Sequence, residues 1–139
     1  VEIQLETRAK ARAMPHVGLE TSAYQLSLFD DLPVDVQQRY LGEVIDQVPT
    51  IRNDLVAMVE AWKAGRAEEL ARLMNAEESD PVLVKTLLTD RNAAWASWIA
   101  KRLETPGEVF MAVGAGHLAG PGSVQDQLAG RGIETRRLQ

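Results

Sequence analysis

One run near the C-terminal end narrows the possible folds more than any other. Glu108-Val109-Phe110-Met111-Ala112-Val113 leads directly into Gly114-Ala115-Gly116-His117-Leu118-Ala119-Gly120. Four of the last five residues of the first segment are large and apolar, where a half-exposed strand would alternate, so it predicts a strand buried on both faces. The glycine-rich stretch reads as a turn. Pro121 to Ala129 then fits a short helix closed by Gly130, and Ile133 to Leu138 fits a last strand. Strand, loop, helix and strand make a βαβ unit, with a right-handed crossover and parallel strands expected.

Upstream, helical spacing dominates. Residues 2 to 14 set Ile3, Leu5, Ala9 and Ala13 among charges, and Met14-Pro15 stops that helix. His16-Val17-Gly18-Leu19 reads as a short buried strand that delivers Glu20, Thr21 and Ser22, with Thr21 or Ser22 as a cap for the next helix. Val36, Tyr40, Val44, Val48, Ile51, Leu55, Met58, Val59 and Trp62 recur at intervals of three and four, and Pro49 predicts a kink or break among them. Gly65 ends this stretch, and a short helix with Leu70, Leu73 and Met74 follows. Asp80-Pro81 is a good helix start, from which Leu83, Leu87, Trp95, Trp98, Ile99 and Leu103 carry the apolar face onward. The tryptophans at 62, 95 and 98 fall at helical spacing and read as core, and Glu77-Glu78 with Asp80 reads as a solvated loop. The fold class expected is therefore α/β and helix-rich, with a small, mostly parallel sheet in which 108–113 runs parallel to both 17–20 and 133–138.

Composition removes several kinds of chemistry. Without cysteine there is no disulfide, thiolate zinc site or thiol nucleophile. A net charge of -5 disfavours binding to a phosphate backbone, so no nucleic-acid partner is expected. No apolar run reaches the roughly 18 to 20 residues that span a bilayer. Aromatics are only 5% of the chain, so aliphatic side chains must supply most of the core.

The polar residues that interrupt apolar segments are the candidates for chemistry. His117 leaves the C-terminal end of the expected strand, where open α/β sheets put their ligands, and Gly114 and Gly116 let a ligand approach the backbone. The plainer alternative is a histidine that caps the turn. Glu20 ends the other expected strand; it reads either as a site carboxylate or as a solvated helix cap. Parallel strands would bring Glu20 and His117 to one rim, where a carboxylate beside an imidazole can ligate metal, act as a base or orient the ring. Arg91-Asn92 sits inside an apolar helical pattern, and Arg91 reads either as a holder of an anionic group or as a surface ion pair with a neighbour such as Asp90. His16 precedes its strand and receives no role.

Three separated motifs, Val17-Gly18-Leu19-Glu20-Thr21 with Gln25 and Phe29, Leu88-Thr89-Asp90-Arg91-Asn92, and Val113-Gly114-Ala115-Gly116-His117-Leu118-Ala119-Gly120, together resemble the TraB/GumN family. The resemblance spans essentially the whole chain. That family is similar to the Tiki proteins, the erythromycin esterases and the ChaN-like haem-binding lipoproteins. It implies an α/β fold and, for Tiki-like members, a metal-dependent protease with two G-x-x-H motifs, a glutamate and an arginine. Gly114 to His117 matches the second G-x-x-H, Glu20 the glutamate, and Arg91-Asn92 the R-N pair. Only two histidines are present and His16 lacks the preceding glycine, so the first G-x-x-H is not found. The expectation is a C-terminal portion, residues 1–139, of a single domain of this family.

The resemblance implies a divalent metal (manganese, cobalt or zinc) in the full-length protein, held in part by His117 and Glu20. The chain alone, one histidine and one carboxylate, is expected to bind metal weakly and to self-associate as a homodimer. Catalytic roles fall to Glu20, Arg91 and His117, and supporting roles to Asn92, Gly114 and Gly116. The implied function is a peptidase-like, metal-dependent hydrolase acting on a peptide or other small substrate, inactive as the isolated fragment. Export or membrane association belongs to the parent if it exists. A non-catalytic binding module is the alternative. A nucleotide-binding βαβ domain is a third reading, because Gly114 to Ala119 satisfies the loose G-x-G-x-x-G/A pattern and Glu134 follows twenty positions after Gly114.

Overall fold

The architecture comes from a computed structural model, in which residues 2–75 and 80–138 are described; Glu77 and Glu78 lie outside them. Two compact units divide the chain, Val1–Asp31 and Leu32–Gln139. The first contains α1 (Glu2–Ala11) and α2 (Ser22–Asp30). Thr21 caps α2, accepting a hydrogen bond from the Tyr24 amide at 3.1 Å, which satisfies one of the unpaired donors of the first turn.

The second unit carries α3 (Val34–Gln47), α4 (Ile51–Lys63), α5 (Ala67–Asn75), α6 (Pro81–Val84), a π-helical turn (Lys85–Thr89), α7 (Asp90–Leu103), a 3-10 turn (Ala115–His117) and α8 (Val124–Ala129). The proline at 49 separates α3 from α4, and Gly65 takes a left-handed φ of 66° after α4. Asp80 caps α6 by accepting from the Val82 amide at 2.8 Å, with Pro81 in the first helical position where its missing N–H costs nothing. Arg39 joins α3 to this cap, with Nη2 2.8 Å from Asp80 Oδ2. From Pro81 to Leu103 the backbone stays helical throughout, but at 85–89 it widens, so that the Asp90 amide bonds the Lys85 carbonyl five residues back.

Leu83, Leu87, Trp95 and Ala96 are buried on the long helix, and Val124 and Leu128 on α8, which packs against α7. Arg131 fastens the end of α8, donating from Nη2 to the Ser97 hydroxyl at 3.0 Å and to the Ala93 carbonyl at 3.3 Å. Of the three tryptophans only Trp95 is core; Trp62 is 70% exposed and Trp98 41%.

No strand occurs among the described residues, so the expected parallel sheet and its βαβ unit are not present. Residues 17–20, 108–113 and 133–138 have no regular secondary structure and make no ladder with one another. Val17, Phe110 and Leu138 are 81%, 76% and 80% exposed, and in the 108–113 run, which suggested burial on two faces, Met111 and Val113 are only half-buried. The reason is physical. A strand is stabilised by its neighbour's backbone groups and side chains, and apolar composition alone supplies neither.

Candidate functional site

The long helix sets up the site. A π-helical turn adds one residue to a helical circuit and shifts the phase of all that follows. It lies immediately before Asp90-Arg91-Asn92. Asp90 is turned to an ion pair with Lys85, while Asn92 is buried to 2% exposure. Asn92 faces the loop that runs from the 3-10 turn to α8, and its amide Nδ2 donates to the Gly122 carbonyl at 2.8 Å.

That bond fixes the orientation of the Asn92 amide, because a carbonyl can only accept. Asn92 Oδ1 is therefore the atom 2.7 Å from His117 Nδ1. An amide oxygen can only accept in turn, so Nδ1 carries a proton, and the neutral ring holds its lone pair on Nε2. Asn92 thus selects a tautomer. The His117 ring also rests on Trp95, with centroids 4.6 Å apart and planes at 50°. The Arg91 guanidinium lies over the same indole, 5.1 Å from its centroid, and donates from Nη1 to the Leu87 carbonyl at 3.0 Å. Such a contact between cation and ring is worth about 0.5 to 2 kcal/mol. Asp90 pairs with Lys85, while Arg91 meets the indole and the Leu87 carbonyl.

The turn bearing His117 is closed by backbone bonds from the His117 amide to the Gly114 carbonyl and from the Leu118 amide to the Ala115 carbonyl, both 3.0 Å. Gly114 has an ordinary φ of -60° and Gly116 is not left-handed; within the 114–123 stretch the left-handed glycines are Gly120 and Gly122, at 80° and 73°. Ser123 caps α8 by accepting from the Asp126 amide, and the Asp126 carboxylate accepts in turn from the Gly122 amide at 2.9 Å. This reciprocal cap holds Gly122 where Asn92 meets it.

Of the residues expected to act, the structure brings Arg91, Asn92 and His117 together around Trp95. Gly114 and Gly116 flank the histidine. Glu20 belongs to the Val1–Asp31 unit, where Gln25 Nε2 donates to its Oε2 at 3.0 Å. Sequence reading missed Trp95 as a contact of His117, although its place one helical turn after Arg91 was a usable signal. Asn75, which donates to the Gly116 carbonyl at 3.0 Å, left no signal in the sequence.

A divalent metal asks for several converging anionic or imidazole donors. Among the described residues no group of three His, Cys, Asp or Glu side chains comes together, and both ends of the Asn92 amide are engaged within the protein. The dinucleotide fingerprint fails, because no strand precedes Gly114 and the Asn75 side chain occupies the space above Gly116 that a pyrophosphate would need.

Residues 1–137 match the model of the TraB/PrgY/gumN family. The chain belongs to this family. No curated protein and no solved structure matches it. Among the described residues, no helix of this family member is long and apolar enough to cross a membrane.

Proposed function

We propose that the Leu32–Gln139 unit presents His117 as the proton-handling side chain of a hydrolytic site for peptide or other amide bonds. The observation that supports this reading is the double engagement of Asn92, which leaves the lone pair of the neutral ring on Nε2. A general base needs its acceptor nitrogen fixed before substrate arrives, and an amide oxygen on the opposite nitrogen does this without adding charge. In the reaction Nε2 takes a proton from water as the water oxygen attacks the amide carbonyl. The same nitrogen returns that proton to the departing amine. Arg91, held on Trp95, supplies fixed positive charge for a substrate carboxylate or for the developing oxyanion.

The resemblance also implies a divalent metal and a role for Glu20, and both are open to direct test. Peptide hydrolysis would be followed in the protein with and without added manganese, cobalt or zinc. His117→Ala should abolish turnover while leaving helicity intact, and Glu20→Gln should lower turnover if the carboxylate takes part. Unchanged turnover in His117→Ala would refute the reading. A non-catalytic binding module is the second reading, supported by the Arg91 guanidinium that Trp95 holds as a fixed cation for an anionic group. Saturable peptide binding without turnover at any metal concentration would establish it.

A further inference from the structure

Helix α5 ends at Asn75, and this side chain reaches a carbonyl 41 residues further along the chain. Its Nδ2 donates to Gly116 O at 3.0 Å, and the carbonyl accepting that bond belongs to the peptide unit that leads into His117. Gly116 is buried, and a Cβ placed on it would lie 2.8 Å from Asn75 Oδ1, closer than real side chains approach. Since Gly116 is not left-handed, what its missing side chain provides is room for the Asn75 amide. Two amides from sequence-distant helices therefore grip the same histidine. Asn92 of α7 holds the ring, and Asn75 of α5 holds the backbone that carries it.

We propose that Asn75 is a positioning residue for His117, setting the peptide plane before the histidine so that Nδ1 meets Asn92 Oδ1. The inference rests on His117 being the proton-handling side chain, and extends that reading to a residue outside every motif of the sequence. With its N–H on the Gly114 carbonyl and its C=O on Asn75, that peptide unit cannot rotate without breaking a bond, and a small rotation of the plane displaces the ring. Misplacement of a reacting group by about 1 Å costs on the order of a hundredfold in rate.

The test combines ring ¹⁵N NMR of His117 with peptide hydrolysis in Asn75→Ala, Asn75→Asp, Gly116→Ala and the Asn75→Ala/Gly116→Ala double variant, using circular dichroism as the control for folding. Asn75→Asp keeps the volume and removes the donor, so it carries the test if the alanine variant loses helicity. Both single Asn75 variants should let the tautomer with the proton on Nε2 appear and should lower turnover roughly tenfold to a hundredfold. Gly116→Ala should do the same, because its Cβ evicts the amide. The double variant should then be no worse than Gly116→Ala alone, whereas independent roles would multiply. A tautomer ratio unchanged in both Asn75 variants, a wild-type ring already mixed, or multiplying effects in the double variant would overturn the proposal. If the ring responds as expected but His117→Ala retains activity, positioning by Asn75 stands and the hydrolytic reading falls.

Discussion

The loop around His117 and the pair of helices α3 and α4 are built on opposite terms. Around His117, Asn92, Asn75, Ser123 and Asp126 each bond a backbone group, three of them on the turn and loop between 114 and 123, and Trp95 closes the cluster. In α3 and α4 no side chain caps the first turn, and the only buried residues are Val36 and Ala61, one on each helix. Leu41, Ile45, Val48, Leu55, Val56 and Trp62 are exposed there. Hydrophobic periodicity was strong along α3 and α4 and along the helix that carries Asn92 and Trp95. It located the helices, but the polar side chains fixed the geometry of the site.

The contrast breaks most directly at Asn92. Asn92→Ala would leave the Gly122 carbonyl and the His117 Nδ1–H without partners, each at about 1 to 3 kcal/mol, so a loss of roughly 3 kcal/mol is expected in denaturant unfolding. A loss under about 0.5 kcal/mol would place this loop on the same footing as an ordinary surface. Next comes Gly122→Ala. At φ 73°, with Thr89 Oγ1 3.4 Å from the new Cβ, it should cost about 1 to 2 kcal/mol. Gly114→Ala should be close to neutral, since its φ is -60° and its nearest contact would be an ordinary 3.7 Å to His117 Cδ2. Equal effects at the two glycines would contradict the assignment of backbone strain to Gly122.

A smaller effect concerns Asp80. The Arg39 guanidinium, and then the Val82 amide, hold its carboxyl below the ordinary value of 3.8. A depressed folded value means that the linked stability is fully present above the unfolded value and is lost as pH falls through the folded one. Acid unfolding below about pH 4 should therefore be less steep in Asp80→Asn, which keeps a capping oxygen but no charge. An identical acid limb would show that the pair with Arg39 contributes nothing in solution. The smallest effect belongs to the exposed helices: Leu41→Gln or Trp62→Ser should stay within about 0.5 kcal/mol. A larger cost would mean that this apolar face is covered in solution.

Much of the helical organisation was legible. Thr21 and Asp80-Pro81 announce helix starts because their side chains and ring have one favourable use there. The break near Pro49 was equally readable, and the short helix expected from Pro121 to Ala129 forms over Val124–Ala129. The strands were not, because Val109-Phe110-Met111 records a preference for burial without naming a partner, and no ladder forms among the described residues. For the site, the sequence pointed to Arg91-Asn92 and to the glycine-rich turn, but it assigned Gly116 to backbone freedom or ligand approach. The structure assigns it to the space taken by Asn75. The π-helical turn that sets the phase of Asn92 was invisible, since nothing in Lys85-Thr86-Leu87-Leu88-Thr89 differs from an ordinary helical stretch.

Asn92 chooses the tautomer of His117, and long-range ¹H–¹⁵N NMR of the wild-type ring, at a pH where it is neutral, reads that choice. The geometry at 2.7 Å predicts a protonated Nδ1 and an Nε2 resonance at the position of an unprotonated imidazole nitrogen. A ring with its proton on Nε2 would show that Asn92 does not set the tautomer.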